Sequence, residues 1–184
     1  MNRDEFLKEL REYWIKNTVP NISDVNAKLL TDLIKISWTT KMLEIWTANW
    51  FSTIHFANVL EKNNWEITTI DFSPKSHGEA LENFKLSEVE NTVIPILWNA
   101  LDEIPKLKDD YYDFVFIDWM MRRSKDFLEL SLPKTKKWWI IIIDDVIKFK
   151  EKMVWLWEYL EDNNISYNTL PIDPDDGIMM IIKQ

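Results

Sequence analysis

Five short apolar runs, most of them followed by a segment of helical periodicity, set the limits on what this chain of 184 residues can become. Residues 41–46, 66–71, 92–97, 112–118 and 139–144 read as strands. The last is Ile-rich, the composition of a strand covered on both faces. Between them, residues 51–62, 74–84, a short stretch from Ala100, and 123–130 read as helices, with Ser73 and Pro74 suited to the N-cap and first helical position. Repeated strand–helix units imply a parallel sheet with helices on both faces. A long helix over about 148–162 follows. Two last strands, 166–170 and 178–183, flank the turn-forming Asp173-Pro174-Asp175-Asp176-Gly177, a link too short for a crossover, so they must run antiparallel. Two amphipathic helices precede the alternation: 3–18, ended by Pro20, and 23–36, with Ser23 as N-cap.

The expected fold class is α/β, a doubly wound Rossmann-like sheet in one domain over 1–184, with helices in 1–36 and the core in 41–184. The net charge of −9 disfavours nucleic acid or an anionic membrane as a partner. With no cysteine, disulfides and thiolate chemistry are excluded. The longest apolar run, 138–143, is too short to span a bilayer, and the charged N-terminus lacks a signal-peptide core; a cytoplasmic location is the expectation.

Ligands of doubly wound sheets bind beyond the carboxyl ends of the strands. Acidic residues stand at four of those five ends: Glu44, Asp71, Asp118 and the pair Asp144-Asp145. Asp71 alone is equally a helix-start residue, and the others are equally loop carboxylates. Their gathering at one edge favours a site, because a carboxylate ending the second strand can accept both ribose hydroxyl protons.

Leu43-Glu44-Ile45-Trp46-Thr47-Ala48-Asn49-Trp50-Phe51-Ser52 resembles motif I of the S-adenosylmethionine-dependent O-methyltransferases, E-[IVL]-G-T-x-x-G-[YF]-S. Ile70-Asp71, Trp98-Asn99-Ala100, Phe114-Val115-Phe116-Ile117-Asp118, Trp138-Trp139 through Asp144-Asp145-Val146, and Asp176-Gly177-Ile178 match further motifs of that family in order. The resemblance covers about residues 20–183 and implies the class I methyltransferase sheet, order 3-2-1-4-5-7-6. It places Glu44, Trp46, Thr47, Ala48, Trp50 and Ser52 around the methionine part of the cofactor. It places Asp71 on the ribose, Asn99 and Ala100 beside the adenine, and Ile22 with Ser23 in a segment closing over the cofactor. Asp118 is both the implied catalytic residue and a cofactor contact. In the cation-dependent branch, Asp118, Asp144 and Asp145 imply a site for Mg²⁺ or another divalent cation. Two positions depart from that branch: Met121 replaces its lysine and Ser124 its tyrosine.

The implied activity is methylation of a small-molecule hydroxyl, with homodimers common among such enzymes. Methylation of an RNA base hydroxyl is the second enzyme reading, and a non-catalytic Rossmann-like binding module is the third. The glycines of the motifs bear on that choice. The chain has two glycines and eleven tryptophans, thirteen together, where about 13 glycines are expected at roughly 7% usage. Trp46 and Trp50 stand at motif glycines, Trp38 and Trp65 where a left-handed helix C-terminus is expected, and Trp138-Trp139 before the buried strand. Glycine codons written UGA and translated as tryptophan account for both count and placement. Genuine tryptophans filling a closed cofactor pocket are the alternative.

Overall fold

The structure, a computed structural model, describes residues 3–17, 21–46, 50–61, 65–118, 120–172 and 176–184. The expected Thr47 and Ala48 contacts, and most of the 173–177 turn, lie outside them. Two helices lead, α1 (Arg3–Asn17) and α2 (Asp24–Ile36). Ser23 caps α2 as expected, its Oγ accepting the Asn26 backbone N–H. There follow β1 (Lys41–Ile45), α3 (Phe51–Leu60), β2 (Glu66–Asp71), α4 (Pro74–Leu86), β3 (Val93–Leu97) and α5 (Ala100–Glu103). The chain ends with β4 (Tyr112–Ile117), α6 (Ser124–Ser131), β5 (Thr135–Ile143), α7 (Val154–Asp162), β6 (Tyr167–Pro171) and β7 (Gly177–Ile182).

The seven strands form one sheet in the order β3-β2-β1-β4-β5-β7-β6, the order implied by the sequence resemblance. β1 to β5 are parallel, and β7 runs antiparallel to both β5 and β6. Alternation along each strand feeds two cores. Phe114 and Phe116 of β4 face α1–α4 with Met42, Ile67 and Ile142, whereas Val115 and Ile117 face α6 and α7 with Leu43, Ile141 and Ile143. Gly177 at the start of β7 has no room for a side chain, because a Cβ would collide with the Leu170 carbonyl oxygen and the Ile147 side chain.

Three expectations need correction. β5 begins at Thr135, so Trp138 and Trp139 lie inside the strand, not before it. The charge run Lys134-Thr135-Lys136-Lys137 would by its sequence be a solvated face, yet Lys134 is buried on the carbonyls of Pro105 and Leu107 and on Asp109, and Lys136 pairs with Asp113. The helix expected over 148–162 is reduced to α7, preceded by a short 3-10 turn at Lys150–Lys152. Finally, Trp38, Trp46, Trp50 and Trp138 all have positive φ, between 57° and 86°, but Trp65 does not. Four tryptophans thus hold the left-handed backbone that glycine adopts without strain and other residues adopt at roughly 1–2 kcal/mol each.

Candidate active site

The parallel strands deliver their carboxyl ends to one edge of the sheet, and the loops beyond that edge enclose a cavity of about 360 Å³. Trp46, Asp71, Asn99 and Ala100 line it, so four of the sequence-identified residues meet there. Asp71, at the end of β2, is buried, and its Oδ1 accepts the Ser73 backbone N–H at 2.7 Å. That bond fixes the turn into α4, where Ser73 itself is the N-cap. Asn99 caps α5 through its Oδ1 and the Leu101 N–H. Phe72, Trp98, Met120, Arg123 and Phe127 complete the wall. Phe72 was legible as the neighbour of Asp71 and Trp98 as part of the Trp98-Asn99-Ala100 motif; Met120, Arg123 and Phe127 carry no motif of their own.

Glu44 and Ser52 are placed differently. Glu44 is fully buried behind the cavity, not on its wall, and accepts hydroxyl bonds from Ser52 (2.6 Å), Thr53 (2.5 Å) and Thr69 (2.6 Å). Burial pushes its carboxyl up to about 7, the three hydroxyls offset only part of this, and the Asp71 charge adds to it. The group ties β1, β2 and α3 together. Trp50 also turns inward: it is buried in the core on the α1–α4 side, so of the two motif I tryptophans only Trp46 reaches the cavity. Ile22 is likewise buried in that core, its carbonyl accepting from Arg11 at 3.0 Å.

Asp118, Asp144 and Asp145 line a second, very small cavity of about 10 Å³ with Met121, Ser124 and Met153. Residues of one segment line both cavities, Met120 and Arg123 the first, Met121 and Ser124 the second. Burial, then the charges of Asp144, Asp145 and Glu44, hold Asp118 well above the usual carboxylate range. Asp144 is pushed up to about 7 by burial and by Asp145, with partial relief from the Asp145 backbone N–H and from Asn26. Asn26, on α2, is the functional candidate that sequence reasoning missed: its Nδ2 donates to both carboxylate oxygens of Asp144, at 3.0 and 2.9 Å. The carboxylates are of the right type for a hard cation. They are not gathered for one, however, since among the described residues no three acidic or histidine side chains are placed to hold a metal ion. Arg122 and Lys125 do not enter either cavity; with Arg123, Trp155 and Tyr159 they line a groove of about 610 Å³ between α6 and α7.

No helix among the described residues is long and apolar enough to cross a membrane. The chain is 27% identical over 127 residues to the catechol O-methyltransferase of Mycobacterium tuberculosis, covering 69% of this chain and 57% of that protein. It spans less than two thirds of the length of the curated relatives it matches. A candidate caffeoyl-CoA O-methyltransferase of Staphylococcus aureus superimposes with a TM-score of 0.85 at 27% identity, over 97% of this chain and 92% of the other. The fold is shared too with an O-methyltransferase of Bacillus cereus solved in complex with SAH (TM-score 0.86, 22% identity, 97% and 90% covered). The model of the O-methyltransferase family matches residues 1–179, and with motifs, sheet order and strand-end site in agreement, this chain belongs to that family.

Proposed function

We propose that the chain transfers a methyl group from S-adenosylmethionine to a hydroxyl oxygen of a small molecule. The observation that carries this reading is the meeting of Trp46, Asp71, Asn99 and Ala100, from the ends of three neighbouring strands, on one 360 Å³ cavity. A cavity of that size suits a small-molecule cofactor. Asp71, with one oxygen held by Ser73, would accept from the ribose hydroxyls, and Asn99 with Ala100 would lie beside the adenine. By the sequence resemblance, the segment at Ile22 and Ser23 would close over the bound cofactor. S-adenosylmethionine, when bound, supplies an electrophilic methyl on a sulfonium. As the acceptor oxygen displaces sulfur from that carbon, Asp118 would take the hydroxyl proton. Burial and the neighbouring carboxylates of Asp144, Asp145 and Glu44 raise the affinity of Asp118 for a proton, which favours its accepting one. Most of the acceleration then comes from holding oxygen, carbon and sulfur in line.

The relatives named as catechol and caffeoyl-CoA O-methyltransferases support a small-molecule acceptor. Because Asp118, Asp144 and Asp145 are not gathered for an ion and Met121 stands at the lysine position, the rate is expected to stay within twofold on chelation with EDTA. The test is calorimetric titration with S-adenosylhomocysteine, on the chain as it stands and on Trp46→Gly/Trp50→Gly. The glycine variant is expected to bind at least tenfold tighter. Absence of binding by both proteins overturns the proposal.

A further inference from the structure

Asn26 of α2 reaches into the acid pocket. Asn26 lies in the first turn of α2, three residues from its N-cap, and is buried with 5% of its surface exposed. Its partner Asp144 lies 118 residues away, just past the end of β5, and is 6% exposed. One nitrogen at nearly equal distance from both carboxylate oxygens sits in the open mouth of that carboxylate, the place a chelated cation takes. The amide can face only one way, because its oxygen would repel the carboxylate. That amide oxygen is buried without a hydrogen-bond partner among the described residues. An unsatisfied buried acceptor is a cost to folding. Stability alone therefore does not account for an asparagine here, and such departures concentrate at functional sites.

The same residue also helps to start its helix, since its backbone N–H is the donor to Ser23 Oγ. Around it the covering segment has two further anchors. Arg11 of α1 bonds the Ile22 carbonyl and pairs with Asp24 at 3.3 Å. Its guanidinium also lies 5.2 Å from the ring centre of Phe51, the first residue of α3 after the motif I turn. Of these contacts only Asn26 reaches the strand-end carboxylates.

Resting on the function proposed above, we infer that Asn26 is a positioning residue: by clamping Asp144 it makes the cofactor cover and the acid pocket one mechanical unit. Closure of the 22–26 segment over bound cofactor then sets Asp144 in place, and loss of the clamp loosens both. A displaced Asp144 alters the charge beside Asp118 as well, so the effect reaches the proton acceptor without Asn26 touching substrate.

Three proteins test this: Asn26→Leu, Asp144→Asn, and the exchanged pair Asn26→Asp/Asp144→Asn, which keeps one amide facing one carboxylate. Hydrogen exchange of the α2 amides is read by mass spectrometry, and S-adenosylhomocysteine affinity by calorimetry well below the unfolding temperature. Each single variant is expected to speed α2 exchange at least tenfold and to weaken the ligand about tenfold. The exchanged pair is expected to return both to within threefold of the parent. A residue serving stability alone would leave the affinity of the folded protein unchanged. Exchange and affinity within twofold of the parent in Asn26→Leu overturn the inference, as does failure of the exchanged pair to restore α2 protection. Should the parent bind no S-adenosylhomocysteine, the proposed function fails, and the exchange comparison alone decides the clamp.

Discussion

The sheet carries buried carboxylates at both of its ends, and the two ends treat them in opposite ways. At the amino end, Asp113 near the start of β4 is 1% exposed, and its carboxylate is fully engaged. Thr40 gives it a backbone N–H at 2.8 Å and a hydroxyl at 2.5 Å, Lys41 an N–H at 3.0 Å, and Lys136 an ammonium at 2.5 Å. Burial alone would raise its pKa, but Lys136 and Thr40 outweigh that and hold it below its ordinary value. At the carboxyl end, Glu44, Asp118 and Asp144 are raised, with acidic neighbours and no lysine or arginine among the causes. A satisfied buried charge maintains a fold. A group of carboxylates held together against their own repulsion indicates a site that meets protons, substrate or ligand.

The largest expected effects sit on opposite sides of that contrast. Asp118→Asn should lower the methyl-transfer rate by about 10²–10⁴, the usual share of a positioned base, while leaving thermal stability unchanged or raised because a repelled charge is removed. Asp113→Ala should do the reverse, costing about 1–3 kcal/mol of stability by leaving the backbone donors of Thr40 and Lys41 without their acceptor, with kcat of the remaining folded protein intact. Parallel denaturation and rate measurements on the two variants check this. Equal stability losses would erase the distinction.

A smaller effect resolves the pH dependence of each end. Folded Glu44 keeps its proton up to about 7, whereas the unfolded chain releases it near 4.5. Between those values the native state binds more protons, so this group's contribution makes stability fall as pH rises from about 4.5 to 7. Asp113 acts with the opposite sign: its contribution is present above its ordinary value of 3.8 and is lost as pH drops through its lowered one. Glu44→Gln should therefore flatten the fall in melting temperature between pH 5 and 7 without altering behaviour below pH 4. An unchanged slope would mean that the three hydroxyls compensate the charge completely.

These two ends were unequally legible in the sequence. Strand–helix alternation fixed the fold class, because parallel strands need crossovers and leave few ways to arrange them. The acid residues of the carboxyl end were visible because that edge is where such sheets bind ligands. The amino end was hidden. Lys134-Thr135-Lys136-Lys137 reads as a solvated run, and only the early start of β5 shows that two of these lysines are structural. Asn26 was hidden for another reason: in the first turn of a helix it looks like an ordinary helix-start residue, and its partner is 118 residues away. No local pattern carries a contact of that range.

The smallest effect bears on the tryptophans. Trp38, just past α2, has φ of 57° and is 75% exposed, so its indole contributes little packing while its backbone is strained. Trp38→Gly relieves roughly 1–2 kcal/mol of strain and loses part of that to the greater freedom of the unfolded chain. A net gain of about 1 kcal/mol remains, a rise of roughly 2–4 °C in melting temperature for a chain of this size. Trp65 supplies the opposite case: its φ is not positive and its side chain packs against the core, so Trp65→Gly should lower the melting temperature. Opposite signs at two tryptophans that follow helices would show that backbone angle, not aromatic content, decides which positions call for glycine. The gene gives the same answer without folding anything. UGA codons at 38, 46, 50 and 138 are expected if glycine belongs at these left-handed positions, and UGG codons there would make the strain a genuine property of the protein.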